Sequence, residues 1–199
     1  ALPISSLENP TSGYVLYNDA KLGDYSDNQL SILRRRRFGF VFQAYNLVNE
    51  LTGMENILLP IMLDSKKADE KYLERIVNIL GIKDRLEHLP SALSGGQQQR
   101  IAIARALANK PSILFADEPT GNLDPVTAME IMQLLEKINV RGTTILMVTH
   151  AKDIVDQMNK RVVAIKDGQI VRDEQGTYGI TPEHLYEIST KEDESPYVF

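Results

Sequence analysis

LSGGQQQR at Leu93–Arg100 and ILFADE at Ile113–Glu118 are the two runs that decide the fold of this 199-residue chain. In the first run Ser94 is a good helix cap, and strong helix formers follow it as far as residue 108. Gly95 and Gly96 let another backbone approach, and a helix start offers N–H groups and a partial positive charge. The run therefore predicts a helix whose start suits a phosphate, with a plain capped surface helix as the alternative.

The second run has the length and apolar character of a buried parallel strand over residues 113–116. Asp117 and Glu118 follow at its carboxyl end, where open α/β sheets place their ligands. One carboxylate can hold Mg²⁺, and the next can polarise a water that attacks a γ-phosphate. The alternative is a solvated acidic turn.

Two more strand-like runs end in polar residues. Phe38–Phe42 precedes Gln43, and a β-branched, apolar run ends at Val148 just before Thr149 and His150. Alone, such a glutamine is usually a loop residue and such a histidine is more often structural. Because adjacent parallel strands bring their ends together, however, we expect the His150 side chain near the acidic pair.

In this order and spacing the motifs resemble those of the ATP-binding cassette (ABC) ATPases over roughly residues 5–175. Leu93–Arg100 is similar to the signature motif, Ile113–Glu118 to the Walker B motif, and Pro119–Asp124 to the D-loop. The resemblance implies an α/β fold: a P-loop NTPase-type core with a mostly parallel sheet, plus an ABC α-helical subdomain. It predicts an incomplete N-terminal core at 1–43, the helical subdomain at 44–91, the rest of the core at 92–175 and a tail at 176–199.

The resemblance also assigns roles for two cofactors, ATP and Mg²⁺. Glu118 is the expected catalytic base, Asp117 lies on the metal side, and His150 contacts the γ-phosphate. Gln43 reaches Mg²⁺ or the attacking water. The residues expected to hold ATP across a subunit interface are Ser94, Gly95, Gly96, Gln97 and Asp124.

The phosphate-binding loop G-x-x-x-x-G-K-[ST] is missing, since none of the twelve glycines is followed by lysine. The resemblance places the missing lysine a few residues before Ala1, so we expect an N-terminally truncated chain that hydrolyses ATP poorly. Pro3 falls where a helix should be finishing, so Ala1–Ile4 is interpreted as foreign or misread sequence.

Local patterns predict helices over 67–80 and 125–138, and a hairpin of strands 162–165 and 169–171 around Asp167–Gly168. No apolar run approaches the ~20 residues of a membrane span. The net charge of −5 argues against a nucleic-acid partner, and the absence of cysteine excludes disulfides. The basic run Arg34–Arg37 predicts a solvated face, with contact to lipid headgroups or a partner as the alternative.

By resemblance the chain is the ATP-hydrolysing subunit of a bacterial ABC transporter, paired with a second ATPase subunit and driving a membrane permease. Its expected location is cytoplasmic and peripheral, on the inner face of the plasma membrane. Phe38–Pro60 and Pro119–Asp124 resemble the lipoprotein-release, macrolide-export and antimicrobial-peptide-resistance ATPases, whereas Lys152–Met158 and Asp167–Glu174 resemble the cell-division ATPase. There are two alternatives: a mechanical ATPase that signals to cell-wall enzymes, and a pseudo-ATPase that has a binding role but does not hydrolyse ATP.

Overall fold

The computed structural model describes residues 10, 12–166, 169–176 and 178. The chain divides into two compact units, Ala1–Thr149 and His150–Phe199. The interpretation of Ala1–Ile4 and nearly all of the predicted tail at 176–199 lie outside the described residues. No helix among the described residues is both long and apolar enough to cross a membrane.

The first unit opens with a short antiparallel pair, β1 (Leu16–Tyr17) and β2 (Ala20–Lys21), and continues with α1 (Asp27–Arg37) and β3 (Phe38–Phe42). Ser26 starts α1 through a capping box with Gln29. The observed β3 has the bounds that the sequence predicts.

Two helices follow β3, α2 (Gly53–Leu63) and α3 (Glu70–Leu80). The helix predicted from residue 67 begins only at Glu70, because the Asp69 side chain accepts the Tyr72 N–H at 3.0 Å and caps the helix there. Its end before Gly81 is as expected. Leu73, Ile76, Val77 and Leu80 form its buried stripe.

The remaining elements of the first unit are α4 (Gly95–Leu107), β4 (Ile113–Asp117), α5 (Pro125–Asn139) and β5 (Thr144–Val148). The strands form a parallel sheet in the order β3-β4-β5. Parallel strands joined through helices characterise α/β proteins, so the predicted fold class is confirmed. Fully buried core side chains from α4, β4 and α5 include Ile101, Ile103, Leu114 and Ile131.

Close packing of α4 on the sheet depends on Gly39 in β3. A Cβ atom at this position would lie 2.6 Å from the Ala106 carbonyl oxygen and 2.8 Å from the Leu114 side chain. The carbonyl belongs to the backbone of α4, so it cannot move aside as a side chain would. The absence of a side chain at Gly39 therefore sets the distance between α4 and β3.

The basic run at the end of α1 is not simply a solvated face. Arg35 and Arg36 lie 3.4 and 3.1 Å from the Asp64 carboxylate, which is 2% exposed, and Lys66 lies 2.5 Å from it. Lys66 and Arg36 hold the pKa of Asp64 below its ordinary value of 3.8. The ion pairs of Arg35 and Arg36 with Asp64 connect the end of α1 to the end of α2.

The second unit contains α6 (Lys152–Met158) and an antiparallel hairpin, β6 (Arg161–Lys166) and β7 (Gln169–Gln175). Arg161 and Asp173 connect the two strands of the hairpin in a two-bond ion pair. The predicted hairpin is confirmed, while its turn, Asp167–Gly168, lies outside the described residues.

Candidate functional site

The carboxyl ends of the three parallel strands meet at one edge of the sheet. In the strand register Phe42 pairs with Asp117, and Asp117 pairs with Val148. Gln43, Glu118 and Thr149 each follow one of these residues and therefore lie at the same edge. The register therefore places Gln43 at the same sheet edge as Asp117 and Glu118.

Glu118 is held in a defined conformation at this edge. Its φ of 44° lies in the left-handed region, and its N–H donates to the Val148 carbonyl at 2.9 Å. The Thr149 hydroxyl donates to Glu118 Oε2 at 3.1 Å. Glu118 is half-buried, whereas Asp117 is exposed. The structure thus separates a positioned carboxylate from one that faces solvent.

Gln43 is tied to the segment after the acidic pair. Its Nε2 donates to Asn122 Oδ1 at 3.1 Å, and Asn122 Nδ2 donates back to the Gln43 carbonyl at 3.0 Å. The backbone at Gly121 approaches so closely that a Cβ there would lie 2.7 Å from Gln43 Nε2. Gln43 therefore forms one hydrogen-bonded unit with Asn122 of the predicted D-loop.

The start of α4 has the cap that the sequence predicts. The Gln97 N–H donates to Ser94 Oγ at 3.4 Å, and the Ser94 N–H donates to Gln97 Oε1 at 2.9 Å. Gly95 and Gly96 are the first two helical residues, whose N–H groups have no acceptor within a helix. Donors of this kind, at the positive end of a helix, suit a phosphate oxygen.

Tyr45 links the strand ends to α4. Tyr45 and Asn46 both have left-handed φ values, 59° and 51°, and the Arg105 guanidinium donates to the carbonyls of both. Burial lowers the pKa of the Arg105 guanidinium below its ordinary value. The Tyr45 hydroxyl lies 3.5 Å from the Asn122 carbonyl oxygen. A Cβ atom on Gly95 would lie 2.7 Å from the same Tyr45 hydroxyl. Tyr45 thus lies between the signature residues and the Gln43–Asn122 pair.

Asp124 has a structural role that the sequence did not reveal. Its Oδ1 accepts the N–H groups of Val126 and Thr127 at 3.1 and 3.0 Å and caps α5. Hydrogen bonds from the Thr127 side chain and backbone hold the pKa of Asp124 below its ordinary 3.8. Contact with a second subunit stays a prediction. His150 is exposed, begins the second unit, and its γ-phosphate contact also stays a prediction.

The side-chain oxygens at the sheet edge are suitable ligands for Mg²⁺ bound together with a nucleotide. Asp117 offers a carboxylate and Gln43 an amide oxygen, both of which suit a hard cation. Among the residues that the structure describes, no three His, Cys, Asp or Glu side chains cluster as a complete metal site. Mg²⁺ commonly takes one or two carboxylates and completes its shell with phosphate oxygens and water.

Four further residues form contacts around the site, and no role was predicted for them from the sequence: Tyr45, Gln99, Asn122 and Thr149. Their partners lie 20 to 79 positions away along the chain. Gln99, Asn122 and Thr149 each lie inside or beside a quoted motif, and that position was the signal that could have identified them.

Comparison with known proteins gives the family. The ABC transporter family matches residues 2–121. The chain is 44% identical over 175 residues to the cell division ATP-binding protein FtsE of Bacillus subtilis, covering 86% of the chain and 76% of FtsE. It is 41% identical over 169 residues to the macrolide export ATP-binding/permease protein MacB of Bdellovibrio bacteriovorus, covering 85% of the chain and 26% of MacB.

A solved structure of an ATP-binding cassette has the same fold as this chain. The dimeric ATP-binding cassette MJ0796, in a post-hydrolysis state bound to ADP and Pi, superposes with a TM-score of 0.74 at 41% identity. The match covers 87% of this chain and 78% of that one. The strand-end acids, the capped signature helix and these matches agree, and the chain belongs to the ABC transporter family, among its ATP-binding subunits.

Proposed function

We propose that this chain contributes to the binding and hydrolysis of ATP at the interface of two ATPase subunits. The observation that carries the proposal is the positioned Glu118 carboxylate, fixed by Thr149 at the sheet edge that also carries Asp117 and Gln43. A base held in this way can accept a proton from a water that attacks a phosphate. His150, which follows Thr149 in sequence, is the proposed contact to the γ-phosphate.

Asp117 and Gln43 are the proposed holders of Mg²⁺. Bound Mg²⁺ supplies positive charge that neutralises phosphate oxygens during transfer. Asp117 is exposed and can reach such an ion directly or through water. Gln43 would present its Oε1, since its Nε2 is engaged by Asn122. The Gln43–Asn122 pair thereby orients the amide.

The α4 start is proposed to serve a nucleotide held mainly by the second subunit. The N–H groups of Gly95 and Gly96 would donate to its phosphate, with Ser94 and Gln97 keeping the helix start in shape. Asp124 would lie near the same interface. The dimeric, ADP-bound MJ0796 cassette supports a site of this kind.

A membrane permease is the proposed partner, with the chain on the cytoplasmic face of the membrane. In its Bdellovibrio relative, by name, ATP-binding and permease parts belong to one protein. The segment 44–91, which contains α2 and α3, is the proposed helical subdomain between core segments 1–43 and 92–175. The similarity to FtsE favours a second candidate, a mechanical ATPase of cell division that moves no substrate.

The test uses two forms of the protein. The chain itself has no G-x-x-x-x-G-K-[ST] loop, and we expect little or no ATP hydrolysis from it. A form preceded by a strand, this loop and a helix start, here called the P-loop form, should hydrolyse ATP. In the P-loop form, Glu118→Gln should abolish turnover but keep ATP binding, because an amide keeps the shape but accepts no proton.

Turnover is measured as phosphate release with Mg²⁺ and ATP, and binding is measured with a fluorescent ATP analogue. Glu136→Gln, at a half-buried carboxylate of α5, is the matched control and should leave turnover unchanged. Turnover by the Glu118→Gln form within a few-fold of its parent would show that Glu118 is not the base.

A further inference from the structure

Gln99 is a fully buried amide in the interior of α4, with 0% of the residue exposed. Its Nε2 donates to the Pro119 carbonyl at 2.6 Å and lies 3.5 Å from the Phe42 carbonyl. Its Oε1 is also buried and has no hydrogen-bond partner among the described residues. A buried amide that is only half satisfied calls for a physical reason.

The two carbonyls place Gln99 between the catalytic strand ends. Pro119 directly follows Glu118, and Phe42 directly precedes Gln43. The Phe42 carbonyl also accepts the Tyr45 N–H at 3.2 Å, so the short bond to Pro119 is the principal contact of Gln99. A single side chain of α4 therefore reaches both segments that carry the site.

The amide orientation follows from its neighbours. A flipped amide would place Oε1 against two carbonyl oxygens, so only the donor nitrogen fits there. An apolar side chain of the same length would fill the space and remove the unpaired oxygen, but it would leave the Pro119 carbonyl without this donor. Packing alone therefore does not require glutamine here, whereas a link to Pro119 does.

We propose that Gln99 is a positioning residue that couples two half-sites of the same chain. One half-site is the start of α4, which serves the partner's nucleotide, and the other is Glu118 with Gln43, which serves the chain's own nucleotide. Gln99 lies one helical turn beyond the signature glycines and fixes their helix to the backbone beside Glu118. The inference rests on the proposed function.

The first test measures amide hydrogen exchange by NMR on the chain itself. Gln99→Met keeps the side-chain length and removes the donor, so exchange should rise about tenfold at residues 43–46 and 118–122 but not in α3 or α5. Gln98→Met is the matched control on the same helix, because the Gln98 amide bonds the Leu93 carbonyl instead. Unchanged exchange in the two segments, or a uniform rise across the chain, would overturn the inference.

The second test uses turnover by the P-loop form. Gln99→Met should lower kcat about tenfold through misplacement of Glu118, while KM for ATP changes less than about twofold. An equal kcat for parent and Gln99→Met would overturn the inference. If the parent P-loop form hydrolyses no ATP, the proposed function fails, and amide exchange alone still decides the role of Gln99.

A second variant guards against misfolding of Gln99→Met. Gln99→Asn keeps the amide but is one methylene shorter, so it should not reach the Pro119 carbonyl at its present 2.6 Å contact. It should raise exchange in the same two segments. Parent-like exchange in a folded Gln99→Asn chain would overturn the inference as well.

Discussion

Thr149, directly after β5, holds one oxygen of the Glu118 carboxylate in place. Its hydroxyl donates to Oε2 at 3.1 Å, and the neighbouring Val148 carbonyl accepts the Glu118 N–H. Glu118 is therefore anchored by both its backbone and its side chain to the adjacent strand. A base that is held in place loses less freedom when it meets the attacking water.

Thr149→Val tests this role at the residue scale. Valine keeps the shape of threonine but donates no hydrogen bond, so kcat of the P-loop form should fall about tenfold, since a hydrogen bond to a charged group contributes roughly 1.5–3 kcal/mol. Thr149→Ser keeps the hydroxyl and should stay within about threefold of the parent by the same reasoning. A parent-like kcat for Thr149→Val would show that the hydroxyl does not position the base.

The sequence predicted which residues follow the parallel strands, whereas the roles assigned to those residues stay predictions. Gln43, Asp117 and Glu118 follow apolar runs, and parallel register then brings the ends of those runs together. Prediction from the sequence missed Asn122, Tyr45 and Gln99, whose partners depend on how α4 and the loops pack. A glutamine inside a helix looks the same in sequence whether it is exposed or, like Gln99, fully buried.

At the scale of elements, the contact of α4 with β3 sets the position of the signature helix over the sheet. Gly39→Ala should destabilise the fold by about 1–3 kcal/mol, because its Cβ would meet the α4 backbone at Ala106. The free energy of unfolding in urea measures this change. Gly23→Ala is the control, since a Cβ there meets nothing within 4 Å, and it should change stability by less than about 0.5 kcal/mol. Equal effects would refute the role of Gly39.

The bounds of helices and strands were predicted from the sequence with unequal accuracy. Phe38–Phe42 was predicted to the residue because an apolar run has visible ends, whereas α3 begins at Glu70, three residues later than predicted. The Asp69 cap decides that start and competes with the helix-forming tendency of the preceding lysines. Arg36 was expected to be solvated because Asp64, its partner, lies 28 positions away along the chain.

At the scale of the whole molecule, the chain has two groups of residues for which we propose contact with a nucleotide. Asp117 and Glu118 lie at the sheet edge, and Gly95 and Gly96 open a capped helix. We propose that these two groups contact two different nucleotides in a dimer. The start of α4 would then complete a nucleotide site on a second subunit.

A mixing experiment shows whether the start of α4 completes a nucleotide site on a second subunit. The partner is a P-loop form that carries Ser94→Arg, which blocks its own signature, and Glu118→Gln, which prevents turnover. Mixed with the chain itself, it should form a 1:1 complex that requires ATP, because one site is complete. The same complex should be lost when the chain carries Ser94→Arg, and should persist with the control Asn78→Arg at an exposed position of α3.

Analytical ultracentrifugation with and without ATP provides the measurement. The account predicts ATP-dependent heterodimers for the parent chain and for Asn78→Arg, and monomers for Ser94→Arg. Association that persists without ATP, or that survives Ser94→Arg in the chain, would contradict the assignment of the α4 start as half of a shared nucleotide site.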